Sequence, residues 1–310
     1  MLFRSRLSSE LDEAERLTKP VMDAGVARAP ERARAFYTLG RIRMEQGQLP
    51  EAETLLREAI GLYVAGGAGL DETRIQMRMA LGEALVTMAR ASDAEAMVRD
   101  VLDDTRALYG DSHPNTGTAW NELGNVLSDD REKFAQAEVA YLNSLDVNRK
   151  AYGELHHEVA TNHNNLGALY LKTKEWAKAD ASHSQALAIR LKVFPPDHPE
   201  IAASQLGRAL ALNKLDRFAE AEELLRAAMK IFASRLGADH WRYANAQLYL
   251  GMVLTNQRRF DEAEKELQAA RAQLERTLGA GHYRTQGALK ALAELETVRR
   301  GAAPAARPRA

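Results

Sequence analysis

A 42-residue unit written six times constrains this 310-residue chain more than any other feature. Its mark is a small residue at Gly40, Gly82, Gly124, Gly167, Ala209 and Gly251, with successive spacings of 42, 42, 43, 42 and 42 residues. A second mark follows each at Ala52, Ala94, Ala137, Ala179, Ala221 and Ala263. A unit of that length cannot bury an apolar face alone, so neighbours must stack, and the product is an array rather than a closed globule.

Each unit reads as two helices. In the fourth, Val159, Leu166, Leu169 and Tyr170 recur at helical spacing, the pattern breaks over Lys172-Thr173-Lys174-Glu175, and Trp176, Ala179, Ala186, Leu187 and Ile189 resume it. Small residues stand where paired helices approach most closely: the glycine mark on the first, and Ala59, Val101, Ser144, Ala186, Ala228 and Ala270 on the second. Interaxial distances of about 8–10 Å follow. An aromatic recurs between the helices at Phe134, Trp176, Phe218 and Phe260, read as a wedge that fixes the turn rather than a surface for stacking a cofactor.

These residues resemble the tetratricopeptide repeat: Leu166-Gly167 with Tyr170, Ala179 and Ala186 fits its pattern. The longer period is similar to the kinesin light chain subfamily. So are five linkers, LYGDSHP from Leu108, AYGELHH from Ala151, VFPPDHP from Val193, RLGADHW from Arg235 and TLGAGHY from Thr277, and the run His163-Asn164-Asn165-Leu166-Gly167. The resemblance spans residues 31 to 299. It implies an all-α fold, a right-handed superhelical solenoid of antiparallel helical hairpins, and binding of a protein or peptide.

The expected plan is a partial repeat over residues 1–30, six repeats over 31–282, a capping helix over 283–299 and a disordered tail over 300–310. Asp12-Glu13-Ala14-Glu15 matches Asp261-Glu262-Ala263-Glu264, so residues 9 to 23 read as the second helix of a preceding unit and the chain as part of a longer protein. Repeat two has Ala91 in place of the wedge, and Ser92-Asp93-Ala94-Glu95 suggests a capping box. Repeat three carries one extra residue in Ser128 to Lys133, and the first linker, Ala65 to Leu70, is glycine-rich and reads as a hinge.

Composition narrows the function. Forty-two basic residues against 43 acidic ones disfavour a nucleic-acid surface. There is no cysteine, hence no thiolate chemistry, and no apolar run fit for a signal or a membrane span, so the expectation is a soluble cytoplasmic protein. No phosphate loop, His-Glu-x-x-His or nucleophile motif occurs, so neither catalysis, a cofactor nor a small-molecule substrate is expected. Linker histidines His113, His156, His198, His240 and His282 share one repeat position, about a helix-packing distance apart, which is too far for a common metal. Each is read as fixing its own turn. His163 and His183 are read as a neutral pair that could face one another inside repeat four.

First helices of this repeat type line a concave groove, and the resemblance carries its inward stations over by offset from the glycine mark. Three before it come Tyr37, Met79, Asn121, Asn164, Leu206 and Leu248; one after it come Arg41, Glu83, Asn125, Ala168, Leu210 and Met252. Asn121, Asn125, Asn164 and Asn165 would hold a peptide backbone, while Leu171, Leu206, Leu210, Leu248 and Met252 form an apolar trough beside Lys172, Asn213 and Lys214. The expected ligand is a peptide with apolar anchors and some acidic character. The alternative is a sensor or regulatory arm of a larger signalling protein.

Overall fold

A computed structural model of the protein describes Arg16, residues 29–67 and residues 69–302. Among these residues it is all α-helical and without strands. Apart from Arg16, the segment 9–23 read as an orphan helix lies outside the described residues, as does the tail from 303. The chain divides into two compact units, Met1–Ala151 and Tyr152–Ala310. The first holds α1 (Ala29–Glu45), α2 (Leu49–Ala65), α3 (Glu72–Thr87), α4 (Ala91–Tyr109), α5 (Pro114–Leu127) and α6 (Phe134–Tyr152). The second holds α7 (His157–Thr173), α8 (Trp176–Val193), α9 (Pro199–Lys214), α10 (Phe218–Leu236), α11 (Trp241–Asn256), α12 (Phe260–Leu278) and α13 (Tyr283–Ala302). The last helix thus runs three residues past the expected cap and takes in Gly301 and Ala302.

Within each unit the hairpins follow from the two marks. The alanines of the second mark are all 0% exposed, so each sits at the closest approach of its helix to the stack. Opposite the first mark stands a larger second-helix side chain. A Cβ on Gly40 would lie 2.9 Å from Leu56, on Gly124 2.5 Å from Tyr141, on Gly167 2.7 Å from His183 and on Gly251 2.5 Å from Leu267. Contacts that short leave no space for a methyl group, which is why glycine recurs there.

The turns inside the hairpins share a geometry that the sequence marks only once. Gly47, Ala89, Lys174, Asp216 and Arg258 all adopt positive φ, between 58° and 75°. The following N–H closes a six-to-one bond on the preceding helix, as in Arg90 to Leu85, Glu175 to Tyr170, Arg217 to Leu212 and Arg259 to Leu254, at 2.9–3.0 Å. This is a Schellman stop, and four of its five left-handed positions carry a side chain that glycine would spare. Repeat three uses its extra residue differently, through a short 3-10 turn at Arg131–Lys133. The aromatic wedges are each the first residue of a second helix, half-buried against the turn.

The capping box expected at Ser92 does not form. Helix α4 starts at Ala91 after the left-handed Ala89, so Ser92 falls inside the first turn and the helix has no side-chain cap. Glu95 turns outward to Arg99 and to Lys133, whose hydrogen bond holds its carboxyl below the usual carboxylate range. That contact belongs to a ladder between successive second helices. Arg90 reaches Glu53, Lys133 reaches Glu95, Arg217 reaches Asp180 and Arg259 reaches Glu222, over 2.5–3.0 Å. The acids are only 16–17% exposed, so the pairs tie stacked repeats at sites partly shielded from water.

Linker histidines cap the following first helices. The Nδ1 atoms of His113, His156, His198, His240 and His282 accept from the backbone N–H two residues on, at 3.1–3.3 Å. Accepting requires the neutral ring, and burial holds His156 and His240 below the ordinary histidine value. Tyr109, Tyr152 and Phe194 stack on the rings of His113, His156 and His198, which fixes their orientation. Pro114 and Pro199 open the next helix. In the glycine-rich first linker Asp71 takes the capping role, accepting from the N–H of Arg74 at 3.0 Å and from the Tyr63 hydroxyl at 2.6 Å.

Candidate functional site

The offsets from the glycine mark place side chains of three successive first helices around one hollow in the first unit. Tyr37 and Met79 come from the station three before the mark, Arg41, Glu83 and Asn125 from the station one after it, and Val86 from the station four after. With Gly82 and Val98 below them they line a cavity of about 510 Å³. Arg41 reaches Glu83 at 3.3 Å across two repeats, and both side chains stand in solvent. Asn125 is held from beneath: the Tyr141 hydroxyl donates to its carbonyl at 2.9 Å, and its amide donates to Glu122 at 3.3 Å. Burial pushes the Tyr141 phenol up to about 12, so it remains a donor at any ordinary pH. Asn121, the other asparagine expected in this unit, is half-buried on the same helix.

In the second unit the expected stations divide. Lys172 and Lys214 are exposed, while Asn165, Leu171, Leu206, Leu210 and Met252 are half-buried. Leu248 is 4% exposed and belongs to the apolar core, against which Leu206 and Met252 also pack. Three residues before the glycine that Leu267 approaches so closely, its side chain is engaged in the interior rather than exposed to a trough. Asn213 is 5% exposed and accepts from Asn256 at 2.9 Å, so its carbonyl serves the stack rather than a ligand. A small hollow of about 50 Å³ beside it is lined by Lys214, Met252 and Glu294 among others.

Asn164 has a structural partner too. Its side-chain oxygen lies 3.2 Å from Nδ1 of His183, whose ring is slotted between Gly167 and Gly207, at 2.7 and 2.4 Å from the Cβ positions those residues lack. His183 is 2% exposed, and burial, with Arg190 adding to it, lowers its pKa to about 4. The ring is thus a neutral core element partnered by Asn164. Among the described residues no group of three or more histidine, cysteine or acidic side chains is placed to hold a metal ion. No helix of the described residues is long and apolar enough to cross a membrane.

Models of the tetratricopeptide repeat match residues 19–65, 74–115, 116–192, 158–234 and 244–284, which together take in most of the chain. The chain belongs to the tetratricopeptide repeat family. Solved structures agree on the fold. The apo quorum sensor NprR from B. thuringiensis superposes with a TM-score of 0.70 at 13% identity, covering 96% of this chain and 82% of that one. A signal-transduction ATPase with a tetratricopeptide repeat sensor from Pyrococcus horikoshii gives 0.66 at 16% identity, over 92% of this chain and 41% of that one. A putative kinesin light chain from Podosopora anserina gives 0.56 at 20% identity, over 66% of this chain and 96% of that one, in keeping with the kinesin light chain-like linkers. No curated protein sequence matches.

The repeat stations that form the cavity were readable from the same offsets as the asparagines and leucines of the later repeats. The cavity coincides with no Asn or Leu run but with a size change on the other helix. Facing the mark, successive repeats carry Leu56, Val98, Tyr141, His183, Leu225 and Leu267, and valine is the shortest of the set.

Proposed function

We propose that the chain is a non-catalytic interaction scaffold that holds a peptide segment against its first-helix faces. The observation that carries this reading is the convergence of Tyr37, Arg41, Met79, Glu83, Val86 and Asn125, side chains of three repeats, on one solvent-open cavity. A surface assembled from successive repeats suits an elongated ligand, whose residues meet one repeat after another. In the second unit Lys172 and Lys214 are exposed, with Leu171 and Leu210 half-buried on the same first helices, so a ligand could meet them without unpacking the core. The family's general use as a scaffold supports the absence of catalysis. A photo-reactive benzophenone residue at Val86 or Ala168, on first helices, is expected to cross-link peptides selected for binding, whereas the same group at Arg99 or Glu223, on second helices, is not. Cross-links confined to the second-helix sites would move the binding face, and the reading would fail.

A second reading, a sensor arm within a larger signalling polypeptide, is favoured by the likeness to the repeat sensor of the signal-transduction ATPase, of which the chain covers 41%. Immunodetection of the native product decides it. A species of about 34.3 kDa counts against the arm, and a much larger one supports it.

A further inference from the structure

We propose that Arg242 and Arg284, stacked with Trp241 and Tyr283 at the starts of α11 and α13, form a docking point for a peptide segment that carries neighbouring carboxylates. The site lies in the second unit and does not depend on the cavity of the first. Its residues depart from the pattern of the earlier linkers. After the capping histidine the chain reads Pro114-Asn115, His157-Glu158 and Pro199-Glu200, and then Trp241-Arg242 and Tyr283-Arg284. A carboxylate in the first turn suits the helix dipole and a guanidinium opposes it, so helix stability does not favour the exchange. The aromatic moves as well. Tyr109, Tyr152 and Phe194 stack on their histidines from four residues before. The last two linkers have Leu236 and Leu278 at that place, and their rings stand one residue after the histidine, where Trp241 is half-buried and Tyr283 is 67% exposed.

Rings and guanidinium groups form one layered stack across two repeats. Cζ of Arg284 lies 4.4 Å from the centre of the Trp241 ring and 4.5 Å from that of Tyr283, and Cζ of Arg242 lies 5.6 Å from the same indole. His282 stacks on Tyr283 at 4.6 Å. Stacking covers the face of a guanidinium and leaves its in-plane N–H groups, the edges that take a carboxylate in a two-point contact. Among the described residues neither guanidinium has a hydrogen bond or a carboxylate within ion-pair distance; each contacts only the rings. Asp239, the acid nearest to Arg242 in sequence, is held by Arg276 at 3.0 Å. Two like charges over one indole repel each other, and carboxylates from outside would offset both. A polyphosphate is the poorer fit, because its affinity grows with the number of phosphates neutralised and two cations neutralise few. A peptide with acids at neighbouring positions presents one carboxylate to each guanidinium.

The test titrates the full chain with acetylated hexaglutamate amide, and with the hexaglutamine peptide, inorganic phosphate and hexathymidylate as the other arms, by calorimetry and by tryptophan emission. The expected result is binding of hexaglutamate at least tenfold tighter than of hexaglutamine, with a change in emission as the anion settles beside Trp241. Affinity should fall at least tenfold in Arg242→Gln/Arg284→Gln and several-fold in Arg284→Lys, which keeps the charge and loses the planar stack. Arg271→Gln, on a second helix, should bind as the parent chain does. Unchanged circular dichroism verifies the fold of each variant, and Arg284→Lys carries the test by itself if the double variant does not fold. Equal affinity for the two peptides, no binding at about 1 mM hexaglutamate, undiminished binding in Arg284→Lys, or tighter binding of phosphate or hexathymidylate would each overturn the proposal. None of these results bears on the cross-links at Val86 and Ala168, so the first-helix reading stands or falls separately.

Discussion

The close approach of helices at the glycine mark can be tested by adding a single methyl group at sites where the facing side chain stands at different distances. In Gly82→Ala the new Cβ meets Val98 at 3.4 Å, an ordinary van der Waals contact. Helix propensity then decides, and alanine is favoured over glycine by about 1 kcal/mol in a helix interior. In Gly167→Ala the Cβ would fall 2.7 Å from the His183 ring, and in Gly207→Ala 2.4 Å. The ring cannot withdraw from either, because the other glycine's backbone bounds it on the far side. Helices α7, α8 and α9 must then shift, and overpacking of that kind costs about 1–3 kcal/mol. After the propensity gain, Gly167→Ala is expected to lose about 1 kcal/mol and Gly207→Ala about 2 kcal/mol, while Gly82→Ala gains. Repeat arrays need not unfold in a single step, so a global melting curve does not by itself assign a change to one hairpin. Hydrogen exchange of peptides from α3–α4 and from α7–α9 reads each hairpin separately. Exchange in α7–α9 should quicken in the two variants there, and α3–α4 should be slowed by Gly82→Ala. Equal protection in Gly207→Ala and the parent chain would refute the reasoning, since the packing distance would then not be set by the ring in the slot.

Two further outcomes follow from the same structure. Ala89 is held at φ 58° to close the Schellman turn of repeat two, a conformation that costs a residue with a Cβ about 1–2 kcal/mol, so Ala89→Gly should raise the urea midpoint of the first unit by relieving about 1 kcal/mol; a lowered midpoint would contradict it. His183 has a folded pKa of about 4, depressed below its ordinary value by burial first and by Arg190 second, against an opposing pull from Asp180. A depressed value means that its contribution is complete above pH 6.5 and is lost as the pH falls toward 4, by about 3 kcal/mol at the lower end. Melting between pH 7.5 and 4.5 should show this decline in the parent chain and a flatter profile in His183→Leu; parallel profiles would remove His183 as its source.

Most of the fold was legible because stacking demands that the same few positions be small in every copy. The glycine and alanine marks, the wedge aromatics and the linker histidines are all positions where one geometry recurs, and each stands in the structure where that geometry requires it. Positions where side chains of several kinds satisfy the same geometry were less readable. The left-handed turn residue is Gly47 in one repeat but Ala89, Lys174, Asp216 and Arg258 in others, so no residue type announces it. Orientation was also hard to read. Leu248 shares its offset with Met79, yet the first is core and the second lines the cavity, because the room left by the facing second helix differs. The same ambiguity let Ser92 pass for a helix cap when the turn before it had already been closed by Ala89 and Arg90.

A repeat that fits its neighbours uses its side chains on them, so departures from the pattern are where an array has side chains left for other work. His183 replaces the leucine of three sister repeats and engages the side-chain oxygen of Asn164. Glu175 stands where Arg90, Lys133, Arg217 and Arg259 carry a cation, and it pairs with Lys178 one turn on. Val98 departs by being shorter, and it lines the 510 Å³ cavity beside the first helices. The first two substitutions meet partners within the fold, Asn164 at one nitrogen of the His183 ring, whose Nε2 is buried without a hydrogen-bond partner, and Lys178 at Glu175. The third leaves apolar walls facing water, which folding alone does not favour and a bound side chain would relieve. On the peptide-binding reading proposed above, the cavity of repeat two, poor in the asparagines and leucines of later repeats, is a place to look for a side chain of the partner.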